Sequence, residues 1–217
     1  MKYFLMALVL FCYGNVCAQT ENADSLLNAL SSEVQTENLL PERMILTQRV
    51  FWGEKGLFRV AHIAPKLTIE NRQRELRVRR NMFKVHQAVG ILTFAGMLTQ
   101  GFLGAKMYDY DFTTKPFEKY DKLKNIHSGV AKGINVAYGT TALMAFMSPP
   151  KQINRKGISN MKVHKALSYI HLSGMITTNV LSGKIKENPN LKPYHRAAAY
   201  TTFAAYAAAI AIIKFEF

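Results

Sequence analysis

The chain has 217 residues, 49% of them hydrophobic, and a formal charge of +14. That length allows one domain with extensions, and no nucleic-acid-binding motif accompanies the charge, so a nucleic-acid partner is excluded. The averages conceal a pattern: apolar residues sit in blocks and basic residues in the gaps between them, as in membrane spans anchored on anionic lipid headgroups.

Residues 1–18 read as a cleavable signal peptide, with Lys2, an apolar run from Tyr3 to Tyr13, and Val16-Cys17-Ala18 before Gln19. Lipidation of Cys17 fits less well, because Val16 is bulky for the preceding position. Cys12 and Cys17 are the only cysteines. The expected mature chain therefore has no disulfide, no thiolate ligand and no covalent haem attachment. Residues 19–84 form a non-cytoplasmic extension. Its first part, 19–41, is polar and reads as a tether with at most one short helix. Pro41-Glu42-Arg43 reads as a helix start. The following stretch, with Met44, Ile45, Val50, Phe51, Trp52, Leu57, Phe58 and Val60, is amphipathic. It suits either a helix in the headgroup layer or a small lid on the helical ends. Thr68-Ile69-Glu70 then opens a basic helix (Arg72, Arg74, Arg77, Arg79, Arg80, Lys84) that runs directly into an apolar segment.

Four apolar segments follow, Val85–Ala105, Ile126–Met147, Val163–Ser182 and Tyr194–Ile213, each with about the 20 residues of a bilayer crossing. Pro149-Pro150 stops the second and Asn188-Pro189-Asn190 precedes the fourth. Short connections predict an all-α, membrane-embedded, up-down-up-down four-helix bundle over 85–213, with 214–217 as a tail. Their Gly, Ala, Ser and Thr content suits close helix packing in lipid.

The core repeats itself. Lys84-Val85-His86-Gln87-Ala88 returns 78 positions later as Lys162-Val163-His164-Lys165-Ala166, and Gly96-Met97, Thr99 and Lys106 return as Gly174-Met175, Thr177 and Lys184. At an offset of 68, His127, Ala131 and Tyr138 match His195, Ala199 and Tyr206. The expected bundle is thus a duplicated two-helix unit with one histidine opening each apolar segment. Alternate segments start on the same side, which pairs His86 with His164 and His127 with His195 across gaps a flat macrocycle could fill. If each histidine lies in a first helical turn, the positive end of the helix dipole keeps it neutral, as an axial iron ligand must be. Lys84, Lys162 and Lys165 on one side, and Lys124, Lys192 and Arg196 on the other, are candidate partners for haem propionates; simple snorkelling to headgroups also accounts for them. His171 is an alternative ligand, although the repeat puts Thr93 at the matching position.

These residues resemble the four-helix core of the cytochrome b561 family of transmembrane di-haem electron carriers. The likeness lies in His86 within Lys-Val-His-Gln-Ala-Val-Gly, His127 within Asn-Ile-His-Ser-Gly, His164, and His195 within Pro-Tyr-His-Arg-Ala-Ala-Ala-Tyr. It covers about 85–213 and leaves the amino-terminal extension unmatched. The resemblance implies two non-covalent b-type haems held at His86/His164 and His127/His195, and transmembrane electron transfer from a quinol or small reductant to an external or metal acceptor. The donor and acceptor themselves are not specified by it. A non-redox scaffold or assembly protein, and a small transporter or metal-handling protein with intramembrane histidines, are the alternative readings. The anionic bilayer is the expected partner, beside a periplasmic or membrane protein or a second copy. A cleaved signal followed by four spans puts both mature termini outside the cytoplasm, in a bacterial inner membrane; the basic run 72–84 pulls the other way under the positive-inside rule.

Overall fold

The computed structural model describes residues 39–152 and 157–214. The signal peptide, most of the 19–41 tether and the tail lie outside the described residues. The fold is all-helical, with no strand among those residues. Two short helices, α1 (Leu46–Trp52) and α2 (Leu57–Val60), precede four long ones: α3 (Ile69–Tyr108), α4 (Phe117–Met147), α5 (Asn160–Lys184) and α6 (Lys192–Lys214). A 3-10 turn, Pro189–Leu191, leads into α6. The long helices pack mainly as two hairpins, α3 with α4 and α5 with α6, and α3 also touches α6.

The helix ends follow local chemistry. Thr68 caps α3, its hydroxyl accepting from the Asn71 N–H at 3.2 Å, and Glu70 in the first turn complements the dipole. Pro149-Pro150 follows the end of α4 at once, because proline supplies no N–H to continue the ladder. In the α3–α4 connection, Asp111 accepts from the Thr113 N–H and from the hydroxyls of Thr113 and Thr114. These bonds hold its carboxyl down at about 2. Tyr110, Phe112 and Tyr120 cluster beside it with ring centroids 4.9–5.2 Å apart.

Two boundaries differ from the expected ones. The first extension helix starts at Leu46 rather than at Pro41. Helix α4 begins at Phe117, well before its apolar segment, because the charged stretch before that segment keeps helical spacing and contains no breaker; α3 starts at Ile69, where the Thr68-Ile69-Glu70 pattern places it. The apolar signal ends where the helix does not. At 40 residues α3 is about 60 Å long, twice the thickness of a hydrocarbon core.

The apolar parts show large apolar side chains outward around a mixed core, in which Met97, Ile134, Tyr138 and Tyr206 form a buried cluster. Ile91, Leu92, Leu98, Phe102, Val136 and Ile176 are exposed, while Thr93, Thr141, His171 and Thr202 are buried. Two segments are long and apolar enough to cross a membrane, α3 and Pro189–Ile213. Helices α4 and α5 miss that standard through residues such as Lys132, Asn135, His164 and Asn179.

The extension folds back as a cap on the end where α4 stops. The Trp52 indole N–H donates to the Met147 carbonyl at 2.7 Å. Arg72 and Glu75, both 2% exposed, lie on the inward face of α3. Glu75 pairs with Arg59 of α2 at 2.7 Å and with Arg72 at 2.9 Å. Arg72 then donates to the carbonyls of Leu39 at 2.9 Å and Pro150 at 2.6 Å. Arg79 reaches the Pro149 carbonyl at 2.5 Å and the Ser148 hydroxyl at 3.1 Å. One carboxylate therefore balances two buried guanidiniums. Glu75→Gln leaves those two cations facing each other and destabilises the cap by about 3–5 kcal/mol. Trp52, the only tryptophan in the chain, reports this directly: its emission moves to the red as the indole meets water. An unshifted spectrum and unfolding curve contradict the assignment.

Candidate functional site

Three of the four histidines that open the apolar segments are held by backbone groups of the neighbouring helix in the same hairpin. His86 Nδ1 lies 3.0 Å from the Thr141 carbonyl, linking α3 to α4. His164 Nδ1 lies 2.8 Å from the Ala209 carbonyl, and His195 Nδ1 lies 3.0 Å from the Thr178 carbonyl, both between α5 and α6. A carbonyl oxygen only accepts, so each Nδ1 carries the proton and donates. In the neutral ring Nε2 is then the bare nitrogen, the atom free to bind a metal. Where a histidine does bind a metal, a carbonyl acceptor of this kind orients the ring and raises its basicity.

The contacts reproduce the sequence offsets. Thr141 and Ala209 are 68 positions apart, as are His127 and His195. Carried to the first hairpin, the His195–Thr178 bond becomes His127 with the Gln100 carbonyl. Here the two hairpins differ: His127 Nδ1 is buried with no hydrogen-bond partner, and so are the Gln100 side-chain oxygen and the Thr178 hydroxyl at matching positions. The glycine contacts match too. A Cβ on Gly96 would meet Ile134 at 2.9 Å, and one on Gly174 would meet Thr202 at 2.2 Å. Ile134 and Thr202 are again 68 apart. In each hairpin a missing side chain brings the helices together ten residues beyond a histidine.

The four histidines do not share a place in their helices. His164 and His195 lie five and four residues into α5 and α6, whereas His86 and His127 lie 18 and 11 residues into α3 and α4. The dipole field fades beyond the first turn. The expected neutralising role of the helix start is therefore lost for His86 and His127.

The remaining candidates are placed as follows. Lys84, Lys162 and Lys165 are exposed, and the Lys162 amine donates to the Gly157 carbonyl. Lys124 and Lys192 are exposed at the opposite end. Arg196 is engaged, its guanidinium 4.4 Å from the Tyr108 ring centre and 5.5 Å from that of Tyr200. His171 is buried, with Nδ1 2.7 Å from the Tyr138 hydroxyl. Sequence reasoning passed over Arg79 and Phe83. The Arg79 guanidinium lies 4.6 Å from the Phe83 ring centre, and Phe83 meets the His86 ring edge-on at 5.7 Å. The available signal was spacing on one helical face, with Arg79 four residues before Phe83 and Phe83 three before His86.

The donor set decides which metal chemistry is reasonable. Each pair offers two imidazoles, and no group of three or more His, Cys, Asp or Glu among the described residues could hold a metal ion. That does not suit a tetrahedral zinc site, which needs at least three protein ligands. It fits an iron whose other four ligands come from a tetrapyrrole. Compared with protein-family models, curated proteins and solved structures, the chain gives no match.

The glycine contacts predict opposite signs at two positions. Gly174→Ala drives a methyl into the Thr202 side chain and costs about 1–3 kcal/mol. Gly133→Ala, in α4 with nothing within 4 Å of the new Cβ, stabilises by up to about 1 kcal/mol through helix propensity. Thermal unfolding in detergent checks both; equal shifts contradict the close approach of α5 and α6.

Proposed function

We propose that the chain is a multi-pass membrane protein that carries electrons between two b-type haems. Its core would be an up-down-up-down four-helix bundle of two related hairpins, similar to that of the cytochrome b561 family. His86 and His164 would hold one haem, and His127 and His195 the other. The observation that carries this reading is the fixing of Nδ1 by a backbone carbonyl at three of the four histidines. The bond recurs at corresponding positions of the two hairpins, His86 with Thr141 and His164 with Ala209.

The large apolar side chains on the outer faces support a membrane setting. In water, exposed Ile91, Leu92 and Phe102 would cost apolar hydration; in lipid they meet hydrocarbon, while buried Thr93, Thr141 and Thr202 donate to carbonyls of their own helices. A bound haem supplies one-electron chemistry, which no side chain here provides. The protein's own share is to present Nε2, keep the ring tautomer fixed and exclude water. Arg79, through Phe83, and the exposed lysines at both ends supply positive charge near the membrane surfaces, where propionates would emerge. With a cleaved signal, the capped end of α3 would face the non-cytoplasmic side.

Variant spectra test the pairing. Reduced-minus-oxidised visible spectra of His86→Ala and His164→Ala should each show about half the wild-type α-band. The His86→Ala/His164→Ala double variant should lose no more than either alone. Combining His86→Ala with His127→Ala should remove nearly all of it. Full absorbance in the single variants contradicts the assignment.

A further inference from the structure

Two parts of the amino-terminal extension carry opposite charge. Residues 39–84 hold eleven arginines and lysines against four carboxylates. Residues 19–38 hold Glu21, Asp24, Glu33 and Glu37 and no cation, together with apolar Leu26, Leu27, Leu30 and Val34. On α3 the cations divide by side. Arg72 and Arg79 face inward, engaged with Glu75 and with the carbonyls just beyond α4. Arg74, Arg77, Arg80 and Lys84 follow one another at steps of three, three and four residues, so they share the opposite side. All four are exposed, and no ion pair reaches any of them among the described residues. The one exposed carboxylate of α3, Glu70, lies a turn before Arg74 and is not paired with it. Val78 and Val85, 41% and 46% exposed, lie beside this stripe.

The acidic residues are joined to the cap close to the stripe. The Leu39 carbonyl accepts from Arg72 at 2.9 Å, two positions from Arg74 on α3. From Leu39, six residues of chain span up to about 20 Å, enough to carry Glu33 round a helix about 10–12 Å across. From Arg74 to Lys84 the stripe rises about 15 Å. In the membrane reading Lys84 borders the apolar segment, and the headgroup layer adds only about 5–8 Å on each side. The upper arginines therefore stand clear of lipid phosphates, and charge and reach favour the chain's own carboxylates. Each exposed ion pair contributes little by itself. Several on one covalently joined segment act together, at an effective concentration on the order of millimolar.

We propose that residues 19–38 dock in cis on the outer side of α3, their carboxylates on Arg74, Arg77, Arg80 and Lys84 and their leucines against Val78 and Val85. The docked segment neutralises the stripe, and an acidic partner reaches α3 only by displacing it. The inference stands apart from the haem assignment and uses the membrane reading only to set the height of the lipid phosphates.

Zero-length carbodiimide cross-linking of the full chain in phosphatidylcholine nanodiscs, read by peptide mass spectrometry, tests it. The reagent joins a carboxylate to an amine only where the two touch. Arg77→Lys keeps the charge and puts an amine at the centre of the stripe. Amides from Glu33 or Glu37 to that amine and to Lys84 should exceed those to Lys55 and Lys66, which are also exposed. They should fall several-fold in about 1 M salt, where the screening length is about 3 Å. Arg74→Gln combined with Arg80→Gln should lower them in the same way while Trp52 emission stays unchanged. Amides no more frequent at the stripe than at Lys55 and Lys66, or indifferent to the paired substitutions and to salt, overturn the proposal. So does their loss in phosphatidylglycerol nanodiscs, which would assign the stripe to lipid headgroups.

Discussion

The structure depends on one recurring bond, an imidazole N–H donated to a backbone carbonyl across a helical hairpin. It fixes three things together. It sets the register of α3 against α4 and of α5 against α6. It removes the choice of tautomer from His86, His164 and His195. It also turns the opposite ring nitrogen away from the acceptor helix. Each acceptor carbonyl has two lone pairs, so it can serve the ring without giving up its helical bond. The glycines ten residues further along each hairpin make this reach possible by letting the backbones approach.

The cap obeys a different constraint. Where α3 passes beyond its apolar segment, it carries charges inward as well as outward. Arg72, Glu75 and Arg79 continue the inward stripe that later holds His86, Gly90, Thr93 and Met97. One helix face thus runs from a buried ion network, through a guanidinium stacked on Phe83, to an imidazole. Pro149-Pro150 contributes by default. Having stopped α4, it leaves carbonyls that no helical N–H can claim, and Arg72 and Arg79 take them. Ion pairs of this kind add little net stability compared with apolar packing, but they make the docking geometry of the cap specific.

Much of this was legible from residue pattern. The apolar segments announced themselves by lacking charge, and the repeated Lys-Val-His motif pointed to residues whose contacts do correspond between hairpins. The start of α3 at Thr68-Ile69-Glu70 was legible, whereas that of α4 was not: there the apolar pattern stops while helical propensity continues through Glu118–Lys124. A dipole argument built on the starts of the apolar segments failed for both His86 and His127. The basic run 72–84 read as a uniform headgroup anchor, yet burial separates Arg72 and Arg79 from exposed Arg74, Arg77 and Arg80. Only the three-dimensional position of the cap and of the two prolines makes that distinction. The match of Tyr138 with Tyr206 was visible, but their meeting at His171 needed the packing of α3 against α6. The break in symmetry at His127, left without a carbonyl partner, has no trace in the residue pattern.

Haem stoichiometry tests the central claim most directly. Protein expressed with adequate haem supply, purified in mild detergent and assayed by pyridine haemochrome against its amino-acid content should hold two non-covalently bound b-type haems per chain. A preparation that is folded, as judged by its helical circular dichroism and by Trp52 emission from a buried site, yet holds no haem would contradict the account.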